Sequence, residues 1–285
     1  MTFTSKHFSS PREFAKWFRN NDDQSSGWSR DKTLQGLRDL EDGNDKNAKL
    51  ADKFLESFEQ AVEVPSLTWE HDVAGAFPDV PTFLAGQPDC MWNLLPDMSD
   101  KAPLRIWVGV TSSGGISEAQ LVKRGAVLAA FAIMMSKKRQ VLITPYVNLG
   151  SYRRDGSIIS WDITTSPINL STIMASLSEP DVVRHVGIDA CRLDNPGVTG
   201  AWHPDAYNEK KMREHLGANP QDLFLPSIFL YDPMLEEPET WLKEKIELYN
   251  DPDKSPAFDP DTYIYQDPFE RRYRSSSSRR YNRSR

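Results

Sequence analysis

Residues 104–147 constrain this chain more than any other stretch. They read in order as LRIWVGV, TSSGGIS, EAQLVKRGAVLAAFAIMMSKK and RQVLITPYV: an apolar strand, a Ser/Gly turn, a long helix and a second strand. Leu104–Val110 is apolar at nearly every position, the pattern of a strand covered on both faces. From Gly125 onward the helix is apolar almost all round, which places it inside a core rather than on a surface. A strand, a helix of this length and a second strand form a right-handed crossover between parallel neighbours. The expected fold class is therefore α/β, a three-layer sandwich with a mainly parallel sheet.

The flanking sequence extends this pattern. Residues 1–70 read as a polar helical extension. One helix opens at Pro11 behind a Ser9 or Ser10 cap, and a second spans 46–63 with Leu50, Phe54, Leu55, Phe58 and Val62 at spacings of three and four. Five prolines and two glycines break residues 71–103 into turns with a short helix at 79–85. Interleaved apolar residues there predict packing against the core. After the βαβ unit come a strand at 157–163, short helices at 167–177 and 180–190, and a polar helix near 205–216. A strand at 223–231 and an amphipathic helix at 238–249 with Trp241, Leu242, Ile246 and Tyr249 on one face follow. The α/β core thus covers 104–250. Residues 251–285, rich in Pro, Asp, Tyr, Arg and Ser, carry too few aliphatics to fold alone and read as a disordered tail.

Composition excludes several classes. No run approaches the roughly 18 apolar residues of a membrane span. The N-terminal MTFTSKHFSSPREF lacks the apolar region of a secretory signal. Two cysteines, Cys90 and Cys191, are too few for a disulfide framework. These readings point to the cytoplasm. Net charge is -7, but residues 271–285 hold seven Arg and no acid, so the rest of the chain carries -14 (-7 minus 7). An acidic body argues against a broad nucleic-acid face, which needs clustered Lys and Arg.

The turn Thr111, Ser112, Ser113, Gly114, Gly115, Ser117 is the candidate ligand loop. It lies at a strand's carboxyl end and a helix's N-terminus, where open α/β sheets bind ligands. Backbone N–H groups there would hold an anion, and the hydroxyls would help ligate a hard cation. A purely structural role competes, because Ser117 with Gln120 has the spacing of a capping box. His185, Asp189 and Cys191 form a candidate metal trio, with a surface ion pair on a helix as the competing reading. Asp155, Asp162 and Asp232 fall near strand ends and would have to converge on one metal for phosphoester hydrolysis. No Gly-x-Ser-x-Gly elbow, P-loop or Gly-x-Gly-x-x-Gly is present. The tail residues Arg271, Arg272, Arg274, Arg279, Arg280, Arg283 and Arg285, interleaved with Tyr273 and Tyr281, would contact RNA, DNA or an acidic protein surface.

The unit IWVGVTSSGGISEAQLVKRGAVLAAFAIMM resembles the first strand, metal loop and first helix of the von Willebrand factor A fold, over roughly residues 104–250. That family holds a divalent cation with an Asp-x-Ser-x-Ser motif. The matching positions here are Thr111, Ser113 and Gly115, so only the middle serine is kept. The Trp-led polar region before residue 65, DVAGAFPDVPTFLAGQPDCM (72–91), Arg124-Gly125-Ala126 and SEPDVVRHVGID (178–189) resemble an uncharacterised family of tailed bacteriophages. The resemblance implies a phage origin and hence a host-cell cytoplasm. The expected function is a non-enzymatic accessory protein that binds a protein partner or acts in assembly through its core and basic tail. The alternatives are a divalent-metal phosphoester hydrolase and a nucleic-acid binder acting through the tail.

Overall fold

The structure is a computed structural model that describes residues 3–22, 30–59, 68–73, 77–95, 103–112, 114–136, 139–150, 156–164, 169–198, 209–228 and 232–250. Strand β1 (Phe3–Phe8) opens the chain, followed by α1 (Pro11–Asn21), α2 (Arg30–Asp42) and α3 (Asp45–Glu59). A small unit of β2 (Thr68–Asp72), β3 (Phe77–Pro78), α4 (Val80–Leu84) and β4 (Met91–Leu95) comes next. Then follow β5 (Leu104–Gly109), α5 (Glu118–Ser136), β6 (Val141–Gly150), β7 (Gly156–Trp161), β8 (Ile163–Thr164) and α6 (Leu170–Ser178). A π-helical turn at Val182–Val186 leads into α7 (Gly187–Asp194). The last elements are α8 (Glu209–Leu216), β9 (Leu223–Leu225), α9 (Pro233–Glu236) and α10 (Pro238–Asn250).

The main sheet has the order β1-β7-β6-β5-β9, with β8 also on β6. β5 and β6 pair in parallel, Leu104 opposite Val141 through Gly109 opposite Tyr146, with α5 between them in sequence. β5–β9 and β1–β7 are parallel as well, so the fold is α/β with a mostly parallel sheet. The strand expected at 157–163 is the exception, because β7 turns back antiparallel on β6, Gly156 opposite Gly150. A parallel return needs a crossover of a dozen or more residues, and the connection 151–155 is too short for one.

The sheet is buried on both faces. Leu104, Ile106, Val108, Ile143, Val147, Ile159 and Trp161 join the main core with Val127, Leu128 and Phe131 of α5. Trp107, Tyr146, Ile158 and Phe224 point the other way, onto Met212 of α8. Helix α5 is the one helix among the described residues long and apolar enough to cross a membrane, and most of it lies inside this core. Its glycine has a packing reason: a Cβ at Gly125 would lie 2.5 Å from the Ser178 Cβ, so α6 comes as close as it does only over a bare Cα.

Several expectations differ from the outcome. Residues 3–8, read as part of a helical extension, form an edge strand that puts Phe8 into the core beside Phe14, whose ring stacks on Trp161 at 4.7 Å. The capping expected for α1 is present. Glu13 N–H donates to Ser10 Oγ at 3.2 Å, and the Glu13 carboxylate accepts from Ser9 N–H at 2.7 Å. Helix α2 was not anticipated, since only Thr33, Gly36, Leu37 and Leu40 of its residues are buried. In α3, Ala51 and Leu55 are buried and Leu50 is exposed. Helices α1, α2 and α3 share one core with the sheet through Phe14, Phe18, Leu37, Leu40 and Leu55.

The strand expected over 223–231 stops at Leu225. Pro226 has no N–H for the ladder, and pairing resumes only as a bridge between Ser112 and Ile228. Residues 229–231 lie outside the described residues, as does the 251–285 tail.

Of the apolar residues expected to pack from 71–103, Val73, Val80, Phe83 and Leu84 are exposed, while the side chains of Phe77, Trp92 and Leu94 lie outside the described residues. β2, β4 and β3 form their own three-stranded sheet, and Val80, Phe83 and Leu84 of α4 are 56%, 64% and 78% exposed. The ladder pairs β2 and β3 with β4, so these strands hold one another while α4 presents its apolar side chains to water.

Candidate functional site

Helix α5 carries the chain from β5 to β6 on one side, while β9 lies on the other side of β5. The crevice beyond the carboxyl ends of β5 and β9 is therefore the point where the strand order reverses, the usual ligand position in such sheets. The predicted loop lies there, with the Thr111 and Ser117 side chains engaged within the protein and Ser112 Oγ buried without a hydrogen-bond partner among the described residues. Thr111 is buried and its hydroxyl bonds that of Ser227, while Ile228 N–H donates to Thr111 O at 3.1 Å. Ser117 N–H donates to Gln120 Oε1 at 2.9 Å and Gln120 N–H to Ser117 Oγ at 3.3 Å, so the capping box is real. Gly114 and Gly115 are exposed at the turn, and Ser113 lies outside the described residues. Beneath the turn, Ile116, Leu121 and Ile228 pack together, and Arg184 Nη2 donates to Ile116 O.

Arg124 dominates the crevice, though sequence reading did not single it out as a site residue. One turn and a half into α5, it is only 3% exposed. Its Nη1 donates to Gly109 O at 2.8 Å and its Nη2 to Pro226 O at 2.7 Å, joining the ends of β5 and β9. Its Nε lies 3.2 Å from Asp232 Oδ2. Asp232 caps α9, its Oδ1 accepting from Met234 N–H at 2.9 Å. Beside the pair is a cavity of about 250 Å³ lined by Leu225, Pro226, Ser227, Pro233, Met234 and Trp241. A charge directly before the greasy stretch that starts at Gly125 was the available signal, since a buried charge requires a partner.

The divalent cation implied by the von Willebrand factor A resemblance does not fit these residues. The Thr111 hydroxyl is taken by Ser227, Gly115 has no donor side chain, and the carboxylate at the crevice already faces a fixed guanidinium.

The other candidates separate. Asp162 bonds Arg105 (2.8 Å) and Thr144 (2.7 Å) at the starting ends of β5 and β6, whereas Asp232 lies beyond the finishing end of β5. The two cannot share a metal, and Asp155 lies outside the described residues. His185 faces Asp181 at 3.8 Å and Asp189 faces Arg192 at 3.6 Å. Cys191 is fully buried with its Sγ directed at Val147 O and Ser157 O, and burial pushes its thiol up to about 12. Among the described residues no group of three or more His, Cys, Asp or Glu is placed to hold a metal. The seven tail arginines also lie outside the described residues.

One further network escaped the sequence reading because it spans four strands. His7 Nδ1 lies 3.0 Å from Ser160 Oγ and its Nε2 3.3 Å from Asp162 Oδ2. Ser160 is buried near the end of β7 with its hydroxyl bonded to His7, so it is tied rather than presented as a nucleophile. Arg105 extends the network by donating to Asp162 and lying 4.3 Å over the Trp107 ring, whose Nε1–H donates to Asp222 at 2.9 Å.

No curated protein and no solved structure matches the chain. Residues 2–250 match the family described as a domain of unknown function, DUF7192, and the chain belongs to that family.

Proposed function

We propose that this protein is a non-enzymatic, phage-encoded accessory protein that binds a protein partner in the host cytoplasm, on a three-layer sandwich of von Willebrand factor A type. The observation that carries the binding reading is the exposure of Val80, Phe83 and Leu84 on α4. Contiguous apolar side chains in open water mark protein contact surfaces. The order β7-β6-β5-β9, with the hairpin at β6–β7 and helices on both faces, supports the sandwich type. The Arg124–Asp232 pair and the mutually bonded Thr111 and Ser227 hydroxyls support a site without catalysis. The test is crosslinking mass spectrometry in phage-infected cells with full-length protein and the F83D/L84D double variant. A protein crosslinked through residues 80–84 and lost in the variant is expected. An unchanged crosslink set would contradict the reading.

A second reading rests on the seven Arg of residues 271–285: nonspecific nucleic-acid binding through the tail. It requires steep salt dependence that disappears when those residues are deleted.

A further inference from the structure

We propose that the switch-point cavity binds a small neutral molecule with an apolar body and one amide group. The cavity lies off the carboxyl end of β9, walled by α5, α9 and α10, beside the strand ends where an open α/β sheet places its ligands. Most of its wall is apolar: Leu225, Pro226, Pro233, Met234 and the ring of Trp241. A ligand site of this kind is largely hydrophobic with a few fixed polar groups that set orientation. Here those groups are Arg124, Asp232 and Ser227, two of them buried and all held by the protein.

Charge decides the ligand class. Arg124 and Asp232 stand 3.2 Å apart and cancel, so the wall formed by the described residues has no net charge. A carboxylate would meet Asp232 and an ammonium would meet Arg124, each at close range in a region of low dielectric. An amide carries one acceptor and donors side by side, and it meets a guanidinium and a carboxylate with the right partner for each. Size follows from the volume of about 250 Å³. A water fills about 30 Å³ of liquid, so the space takes a ligand of about eight non-hydrogen atoms. That is the scale of one ring with a carboxamide.

The inference is independent of the α4 contact surface, and the F83D/L84D variant should bind the probes as the natural chain does. The experiment titrates the full chain with benzamide, benzoate and benzylamine at pH 7, followed by NMR of the tryptophan indole N–H signals. Benzamide should bind saturably and at least tenfold tighter than either charged analogue, shifting one indole signal that is missing in Trp241→Phe. Asp232→Asn keeps an acceptor for Met234 N–H but uncovers the Arg124 charge. In that variant the preference should turn over, with benzoate becoming the tightest of the three. No saturable benzamide binding, equal binding of all three, or an unchanged preference in Asp232→Asn would overturn the proposal.

Discussion

Asn44, in the turn between α2 and α3, donates from Nδ2 to Glu179 Oε2 at 2.5 Å, and Asn47 donates to the same oxygen at 3.1 Å. A carboxylate at the end of α6 thus fastens the N-terminal helices to the core. Its position is costly. Burial first, then Asp39 and Asp181 nearby, push the Glu179 carboxyl up to about 7 from 4.5. Between those values the folded protein holds this proton more tightly than the unfolded chain. The associated stability is therefore complete below about 4.5 and is lost as pH rises through about 7. Glu179→Gln keeps an acceptor for both asparagines and removes the charge. Its thermal midpoint should exceed that of the natural chain at pH 8 and match it at pH 4. An equal difference at pH 4 and pH 8 would refute this account.

Gly125→Ala should destabilise, which is opposite to the usual sign for a glycine within a helix. Helix propensity alone favours alanine by about 1 kcal/mol. The new Cβ would sit 2.5 Å from Ser178 Cβ, and overpacking of this kind costs about 1–3 kcal/mol. Urea unfolding of the pair of proteins measures the net effect, and a stabilised variant would show that α5 and α6 are not in close contact.

Arg124→Met should cost about 3–5 kcal/mol, because it leaves the Asp232 charge and two strand-end carbonyls without their partner. Adding Asp232→Asn removes the uncompensated charge and should recover part of that loss. A double variant less stable than the single one would mean that the charges do not couple. The readout is the denaturation midpoint of all four proteins in one double-mutant cycle.

Phe83→Asp and Leu84→Asp should each change stability by no more than about 0.5 kcal/mol, because both side chains already face water. The same changes in a packed connector would cost several times more. Chemical unfolding separates the two cases and tests the exposure on which the binding proposal stands.

How far the sequence could be read depended on where each residue's partners lie along the chain. Leu104–Val110, the apolar helix behind Gly125 and Val141–Val147 carry their information locally, because periodicity and length exclude other arrangements. The parallel β5–β6 pair, the burial of α5, the capping box at Ser117 and the buried face of α10 (Trp241, Leu242, Ile246, Tyr249) were all legible for that reason. Phe3–Phe8 was not, since a six-residue edge strand gains its stability from β7, more than 150 residues away.

The site followed the same division. The sequence alone determined that a hydroxyl-rich bend joins a buried strand to a buried helix. Only the tertiary structure decided that Thr111 would spend its hydroxyl on Ser227, that Arg124 would reach Asp232 across the strand ends, and that Asp162 and Asp232 would lie at opposite ends of the sheet. Periodicity fixes which face of an element is apolar. Which distant group neutralises a buried charge depends on strand order, and strand order has no local signature in the chain.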